Sequence, residues 1–102
     1  MIYTIDEISS KLTSIFEEKG VIRAVIFGSY AKGEATEDSD IDLVVEVEDW
    51  VGGLDFFGIA GDVVDTLGKK VDFFGMDDVI PGGRADDEIK ATGVMIYQKD
   101  RL

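Results

Sequence analysis

Residues 27–46 read FGSYAKGEATEDSDIDLVVE, and this stretch says most about the fold and the function of the chain. An apolar run ends at Gly28-Ser29, a short polar loop follows, and Asp40 and Asp42 stand at the start of a second apolar run. Side chains two positions apart on a strand point to the same side of the sheet. The pattern therefore predicts a small-residue turn for phosphate beside two carboxylates for a divalent cation, which indicates nucleotide chemistry.

The size and composition of the chain predict a single domain over residues 1–102. Apolar residues make up 45%, with no uninterrupted apolar run of membrane-spanning length and no secretory signal, so a cytoplasmic protein is expected. Cysteine and histidine are both absent from the sequence. Any catalytic metal would therefore rest on oxygen ligands, which favours Mg²⁺ or Mn²⁺.

The charge balance is strongly acidic, with 22 acidic against 10 basic residues and a net charge of −12. Nucleic acid is a polyanion whose binding normally requires a basic face, so it is disfavoured as a partner. Most of the acidic residues are expected to serve solubility. A few of them can act as metal ligands, and others can attract a basic partner protein.

Hydrophobic periodicity predicts an α/β (α+β) domain, in which a small mixed twisted sheet is flanked by helices. Helices are expected over residues 5–19, 54–67 and 84–91, with a single helical turn over 29–32. Strands are expected over residues 21–27, 41–47 and 70–74, and residues 94–97 form either a last strand or an extended arm.

Two of these helices carry detailed expectations. The sequence Thr4-Ile5-Asp6-Glu7 has the form of a capping box at the start of the first helix. The apolar residues of that helix recur at helical spacing, at Ile5, Ile8, Leu12, Ile15 and Phe16. The inward candidates of helix 54–67 include Phe57, Val64 and Leu67, although two glycines weaken that helix.

Asp72 is the third candidate metal ligand. It lies between apolar neighbours on the predicted strand 70–74, where an uncompensated carboxylate is costly to bury. If this strand lies beside strand 41–47, Asp72 can reach Asp40 and Asp42. The alternatives are that Asp72 faces water or pairs with a neighbouring lysine, and that the other two acids are simply a solvated strand end.

Three aromatic residues, Trp50, Phe56 and Phe57, surround Gly52-Gly53. The favoured interpretation places their side chains in the core. The alternative is an exposed apolar patch that docks a partner protein.

Taken together, these residues resemble the minimal nucleotidyltransferase (MNT) family of the DNA polymerase beta-like superfamily. The family pattern is Gly-Ser, two residues, a basic residue and Gly, then Ser-Asp-x-Asp on a strand, and a third Asp on a later strand. Here it reads GSYAKG over residues 28–33, SDID over 39–42 and KVD over 70–72. The ending GVMIY over residues 93–97 also looks like the family's C-terminal segment. Several spaced elements agree, which makes the resemblance specific.

The resemblance implies the nucleotidyltransferase fold, ATP as the donor and Mg²⁺ as the cofactor. By analogy, Gly28-Ser29 would hold the β- and γ-phosphates, and Asp40 and Asp42 would bind metal ions. Asp72 would bind metal and take the proton from the attacking hydroxyl, so that all three carboxylates are catalytic. Lys32, where arginine is more usual in the family, would contact the nucleotide without the planar fork of a guanidinium group.

The same resemblance implies a function. Members of this length often act as antitoxins of helical HEPN-domain toxins, and some transfer AMP to a tyrosine hydroxyl of the toxin. The alternatives are a non-catalytic module that neutralises a partner toxin, and a subunit of a small-molecule nucleotidyltransferase. A polymerase role is disfavoured by size and charge. Association into a homo- or hetero-oligomer is expected, because the active-site edge of so small a domain is open.

Overall fold

A computed structural model describes residues 2–99 as helices packed on one mixed β-sheet. The helices are α1 (Ile5–Lys19), α2 (Ser29–Lys32), α3 (Gly53–Leu67) and α4 (Arg84–Thr92). The strands are β1 (Val21–Phe27), β2 (Ile41–Val47), β3 (Val71–Gly75) and β4 (Val94–Gln98), and a short 3-10 turn covers Met76–Asp78. Within residues 2–99, no helix has the length and apolar character needed to cross a membrane.

These bounds agree closely with the predicted elements. The last segment is a strand, because β4 pairs antiparallel with β1. The remaining differences are shifts of one residue at element ends and the short turn over Met76–Asp78, which was not predicted. The mixed sheet flanked by helices was predicted correctly.

The first helix forms as its sequence predicts. The Thr4 hydroxyl accepts a hydrogen bond from the Glu7 backbone N–H at 3.0 Å, and the Glu7 carboxylate accepts one from the Thr4 N–H at 2.8 Å. The helix ends at Gly20, whose φ of 87° is left-handed and therefore favours glycine. Its fully buried residues are Ile8, Leu12 and Phe16, while Ile5 and Ile15 are partly buried against the same core.

The sheet separates two environments. Its order is β3-β2-β1-β4, with β2 antiparallel to β1 and parallel to β3. Alternate residues of β2, namely Ile41, Leu43 and Val45, join the core cluster with the buried residues of α1 and α3. Asp42 therefore points to the opposite face of the sheet, since successive side chains alternate. That face carries the predicted site residues.

Two predictions about the core were wrong in part. Phe57 and Val64 were expected to face inward on α3, but they are 78% and 37% exposed. The residues of α3 that are fully buried are Ile59, Val63 and Leu67, and Leu67 alone agrees with the prediction. Two glycines and the apolar residues on both sides of α3 made it difficult to predict from the sequence which side of the helix faces the core.

The aromatic group was also only partly assigned to the correct environment. Phe56 does pack inward, with its ring 5.0 Å from that of Phe73. Adjacent helical residues point about 100° apart, since a turn contains about 3.6 residues, so Phe57 faces outward where Phe56 faces in. Trp50 lies before the helix and is 63% exposed, so the core interpretation was wrong for Trp50 and Phe57.

Candidate active site

A cleft of about 600 Å³ opens on the face of the sheet opposite α1 and α3. It lies where β1 ends, where β2 begins and beside α4, which packs against β1. Six residues were predicted to form the site, and all of them line this cleft: Gly28, Ser29, Lys32, Asp40, Asp42 and Asp72.

The centre of the cleft is a pair of carboxyl groups on adjacent strands. In the parallel pairing of β2 with β3, Asp42 lies beside Asp72, and in the antiparallel pairing of β1 with β2 it lies beside Phe27. Burial raises the pKa of Asp42 from 3.8 to about 6, with further contributions from a hydrogen bond to Asp72 and from the negative charges of Asp72, Glu88 and Asp40. The site therefore has an excess of negative charge that a cation or a proton would relieve.

Asp40 lies at the edge of this pair. The strand β2 begins at Ile41, so Asp40 precedes it, and its Oδ2 is 3.5 Å from Nζ of Lys70. Among residues 2–99, no three carboxylates are arranged to hold a metal ion as they stand. The ion pair with Lys70 is exposed, and such pairs contribute only about 0–1 kcal/mol, so little opposes a movement of Asp40 toward the other two.

Gly28 allows the backbone to pass directly over Asp42. Its φ of 74° lies in the left-handed region, and a Cβ atom at this position would collide with Oδ2 of Asp42. Its N–H donates to Oγ1 of Thr92 at 3.3 Å, and its carbonyl accepts from the Lys32 N–H at 3.1 Å. Glycine is therefore required at position 28 for two reasons: the backbone conformation disfavours other residues, and the carboxylate of Asp42 occupies the space that a side chain would need.

The helix α4 supplies cleft residues that sequence reasoning missed. Arg84 and Glu88 line the cleft four residues apart, with 3.7 Å between their charged groups, and Phe74 forms an apolar wall with Phe27 at a ring separation of 6.1 Å. The spacing of Arg84 and Glu88 could have placed them on one helix face. No sequence signal says that this face lies over Asp42, because the packing of α4 on the sheet decides it.

The residues present fit an oxygen-ligated divalent cation. Asp42 and Asp72 offer adjacent carboxylates whose mutual repulsion a cation would offset, and the donor set contains only oxygen atoms, which suits Mg²⁺. Gly28-Ser29 brings backbone close to the pair, so this turn could hold a phosphate group beside a cation bound by the carboxylates. Lys32 is exposed at the edge of the cleft and can add positive charge for a polyphosphate.

The fold and the carboxylate pair together define the class of protein. The family described as "Polymerase beta, Nucleotidyltransferase" matches residues 10–102. The chain therefore belongs to this nucleotidyltransferase family, as the sequence pattern predicted.

Individual relatives agree with this assignment. A protein of Methanocaldococcus jannaschii, provisionally named a protein adenylyltransferase, is 43% identical over 89 residues, which are 86% of this chain and 86% of the relative. The protein adenylyltransferase MntA of Thermococcus cleftensis is 40% identical over 73 residues, which are 68% of this chain and 74% of the relative.

The fold is likewise similar to a chain in a solved structure of a tri-AMPylated HEPN toxin of Shewanella oneidensis in complex with an MNT antitoxin. The TM-score is 0.69, with 94% of this chain and 74% of that chain covered. The sequence identity is 15%, so this likeness concerns the fold alone.

Proposed function

We propose that the chain transfers AMP from ATP to a hydroxyl group of a partner protein, in a reaction that requires Mg²⁺. The observation that carries the proposal is the Asp42–Asp72 pair, held side by side in a cleft next to the Gly28-Ser29 turn. Relatives named protein adenylyltransferases support it.

The reaction requires four contributions from the chain. Asp40, Asp42 and Asp72 would hold Mg²⁺, which when bound supplies positive charge against the triphosphate. Backbone N–H groups of Gly28-Ser29 would bind the β- and γ-phosphates, and Lys32 would add its charge at the cleft edge. The rings of Phe27 and Phe74 would form an apolar wall of the cleft beside the nucleotide.

The transfer step itself is a displacement at phosphorus. The acceptor oxygen forms a bond to the α-phosphorus, the bond from that phosphorus to the oxygen bridging the β-phosphate breaks, and pyrophosphate leaves. The proton of the acceptor hydroxyl passes to a carboxylate, for which Asp72 is the candidate. A carboxylate is the ready base here, since the sequence contains no histidine.

The proposed partner is a helical HEPN-domain toxin, with this chain acting in the cytoplasm as its antitoxin. The fold likeness to a chain of a toxin–antitoxin complex with an AMPylated toxin supports this choice. The acidic character of the chain, with a net charge of −12, suits a basic partner.

The direct test is intact-mass spectrometry of a HEPN-domain protein that binds the chain, after incubation with the chain, ATP and Mg²⁺. We expect the partner to gain the mass of AMP, and we expect no gain with Asp42→Asn or without divalent cation. An unmodified partner in the presence of wild-type chain would contradict the proposal.

A second candidate, a binding module that neutralises its partner without catalysis, is favoured by the exposed aromatic residues Trp50 and Phe57. Full neutralisation of the toxin by Asp42→Asn, together with an unmodified partner, would favour this candidate.

A further inference from the structure

Helix α3 is apolar on both of its sides. Its inward side is buried through Ile59, Val63 and Leu67, whereas its outward side carries Leu54, which is 90% exposed, and Phe57, which is 78% exposed. Asp65 shares this outward side, but Leu54 and Phe57 are still large exposed apolar side chains, of the kind that normally pack against a neighbour. In the part of the chain that the structure describes, the outward side of α3 has no such neighbour.

The outward side continues into a groove. Trp50 lies over Gly20 at the end of α1, where a Cβ atom would be 2.5 Å from the indole ring. Together with Leu54, it lines a groove of about 520 Å³ between the end of α1 and the start of α3. We call the outward residues the α3 surface, which consists of Trp50, Leu54, Phe57, Gly58, Gly61 and Val64.

Gly58 and Gly61 have no evident role inside the chain. Both are exposed, neither has a positive φ, and a Cβ atom at either position would meet nothing within 4 Å. Glycine is unfavourable inside a helix relative to alanine. Its effect here is to leave the helix backbone bare on the outward side, and the distance between packed helices depends on the side chains at their contact. The two glycines would therefore let a second helix approach closely.

The charges around this surface indicate the chemistry of its partner. Glu18, Asp55 and Asp62 line the groove with Trp50 and Leu54, and Lys19 is the one basic residue among the lining residues described. A second copy of this chain, with a net charge of −12, would bring acidic residues against acidic residues. A partner with basic side chains around an apolar stripe would match both features.

We propose that the α3 surface docks a helical partner protein whose apolar contact residues are flanked by lysine and arginine. The inference rests on the proposed function only for the choice of the HEPN-domain toxin as the probe. Large apolar anchors such as Trp50 and Phe57, surrounded by polar groups, are typical of residues that dominate binding energy.

The proposed docking surface and the cleft lie on opposite sides of the sheet. The core residues of β2 pack toward α1 and α3, and Asp42 points away from them into the cleft. The part of a partner that contacts the α3 surface therefore cannot present a hydroxyl to Asp72 of the same chain. Stable docking and AMP transfer consequently depend on different residues, and variants can separate them.

The central experiment is calorimetric titration of the purified HEPN-domain toxin into the Leu54→Ala/Phe57→Ala double variant. We expect Kd to rise at least about thirtyfold, because hot-spot residues each contribute at least this much. The midpoint of thermal unfolding should be unchanged, since both side chains are exposed. The matched control is Ile80→Ala, which removes another exposed apolar side chain, 74% exposed, away from the α3 surface. Wild-type affinity in the double variant, or equal weakening by Ile80→Ala, would overturn the proposal.

A matched pair of variants tests whether the partner is basic. Asp62→Asn and Asp77→Asn each remove one negative charge, but only Asp62 lines the groove of the α3 surface. We expect Asp62→Asn to slow association with the toxin a fewfold at low salt, and Asp77→Asn to leave the rate unchanged. Equal rates for the two variants would overturn the assignment of a basic partner.

Three further outcomes separate this inference from its alternatives. If light scattering shows that the wild-type chain is a dimer and that Leu54→Ala/Phe57→Ala makes it monomeric, the surface binds a second copy and the proposal is overturned. If the toxin is never modified yet binds with the predicted dependence on Leu54 and Phe57, the proposed AMP transfer fails while the docking surface stands. If Asp42→Asn raises Kd for the toxin as much as the double variant does, docking occurs at the cleft and the proposal is overturned.

Discussion

The two faces of the sheet differ in the groups that they bury and expose. On the cleft face, Asp42 and Asp72 are held together in partial burial, which raises the pKa of Asp42 to about 6. On the other side, α3 leaves Leu54 and Phe57 exposed to water. Each arrangement is unfavourable in the isolated chain and would become favourable with the proposed ligand, a cation on one face and an apolar partner on the other. Such strained features mark the places where a small domain is built to bind.

The largest expected effect is on AMP transfer, and it distinguishes the cleft face from the α3 surface. Asp42→Asn should reduce AMP transfer at least about a hundredfold, because a direct metal ligand matters at least as much as the groups that orient it. Leu54→Ala/Phe57→Ala should leave the affinity for Mg-ATP unchanged. Calorimetry with Mg-ATP and the partner-mass assay measure the two quantities, and a loss of nucleotide affinity in the α3 variant would break the separation.

A glycine pair tests the crowding around the carboxylates. Gly28 and Gly33 share a φ of 74°, but the ψ of −150° at Gly28 is a conformation largely restricted to glycine, and only at Gly28 does a carboxylate occupy the position of a Cβ atom. Gly33→Ala should reduce the free energy of unfolding by about 1–2 kcal/mol from the left-handed backbone alone. Gly28→Ala should lose more than that and should weaken nucleotide binding, as chemical denaturation and titration with Mg-ATP would measure. Equal losses at the two positions would show that Asp42 moves away freely.

The pH dependence of stability provides the next test. The pKa of Asp42 is raised from 3.8 to about 6 in the folded chain, so its protonated form stabilises the fold below pH 4 and this contribution is lost as the pH rises through 6. Each pKa unit corresponds to about 1.4 kcal/mol, and partial solvent screening reduces the expected loss to about 1–2 kcal/mol. Chemical denaturation from pH 4 to pH 7 measures this loss of the free energy of unfolding. The Asp42→Asn variant is the reference, because it should not show the part of the loss that comes from Asp42.

Added Mg²⁺ should restore the stability that the folded chain loses as the pH rises through 6. Above pH 6, a cation bound by Asp42 and Asp72 stabilises the folded chain by mass action, so the midpoint of thermal unfolding should rise with added Mg²⁺ at pH 7.5 and not at pH 4.5. Asp42→Asn should be insensitive to Mg²⁺ at both values. An equal response of wild type and variant would place the ion elsewhere.

On the opposite face, alanine substitutions at two glycines of α3 should change stability and partner binding in opposite directions. Gly58→Ala and Gly61→Ala each fill open space in a helix, so each should raise the free energy of unfolding by about 0.5–1 kcal/mol. The same methyl groups should weaken binding of the helical partner, because they keep its backbone away. Denaturation and calorimetry measure the two effects, and a variant that is more stable and binds as wild type would show that no helix packs there.

The smallest effect expected concerns Glu88. Its negative charge is one of the lesser contributions to the raised pKa of Asp42, behind burial and Asp72. Glu88→Gln should lower that pKa slightly, which carbon-detected NMR titration of the carboxyl can measure. Asp87→Asn, on the exposed side of α4, serves as the control and should leave the pKa unchanged.

The sequence by itself determined the helices and strands and the residues that were expected to lie together, which line one cleft. The capping box, the β-branched runs and the helical spacing placed each main helix and strand within a residue of its observed ends, because these signals are local. The spacing of Gly28-Ser29, Asp40 and Asp42 located the cleft for the same reason. The family match then confirmed the class that this spacing had predicted.

Only the tertiary structure decided how these parts meet. The parallel pairing of β2 with β3 sets Asp72 beside Asp42, whereas Asp40 lies at the edge of the pair, 3.5 Å from Lys70. Packing of α4 brings Glu88 over the pair, and the phase of α3 turns Phe56 inward and Phe57 outward. These outcomes depend on contacts between residues far apart in sequence, so they follow from strand register and helix packing and not from any local pattern.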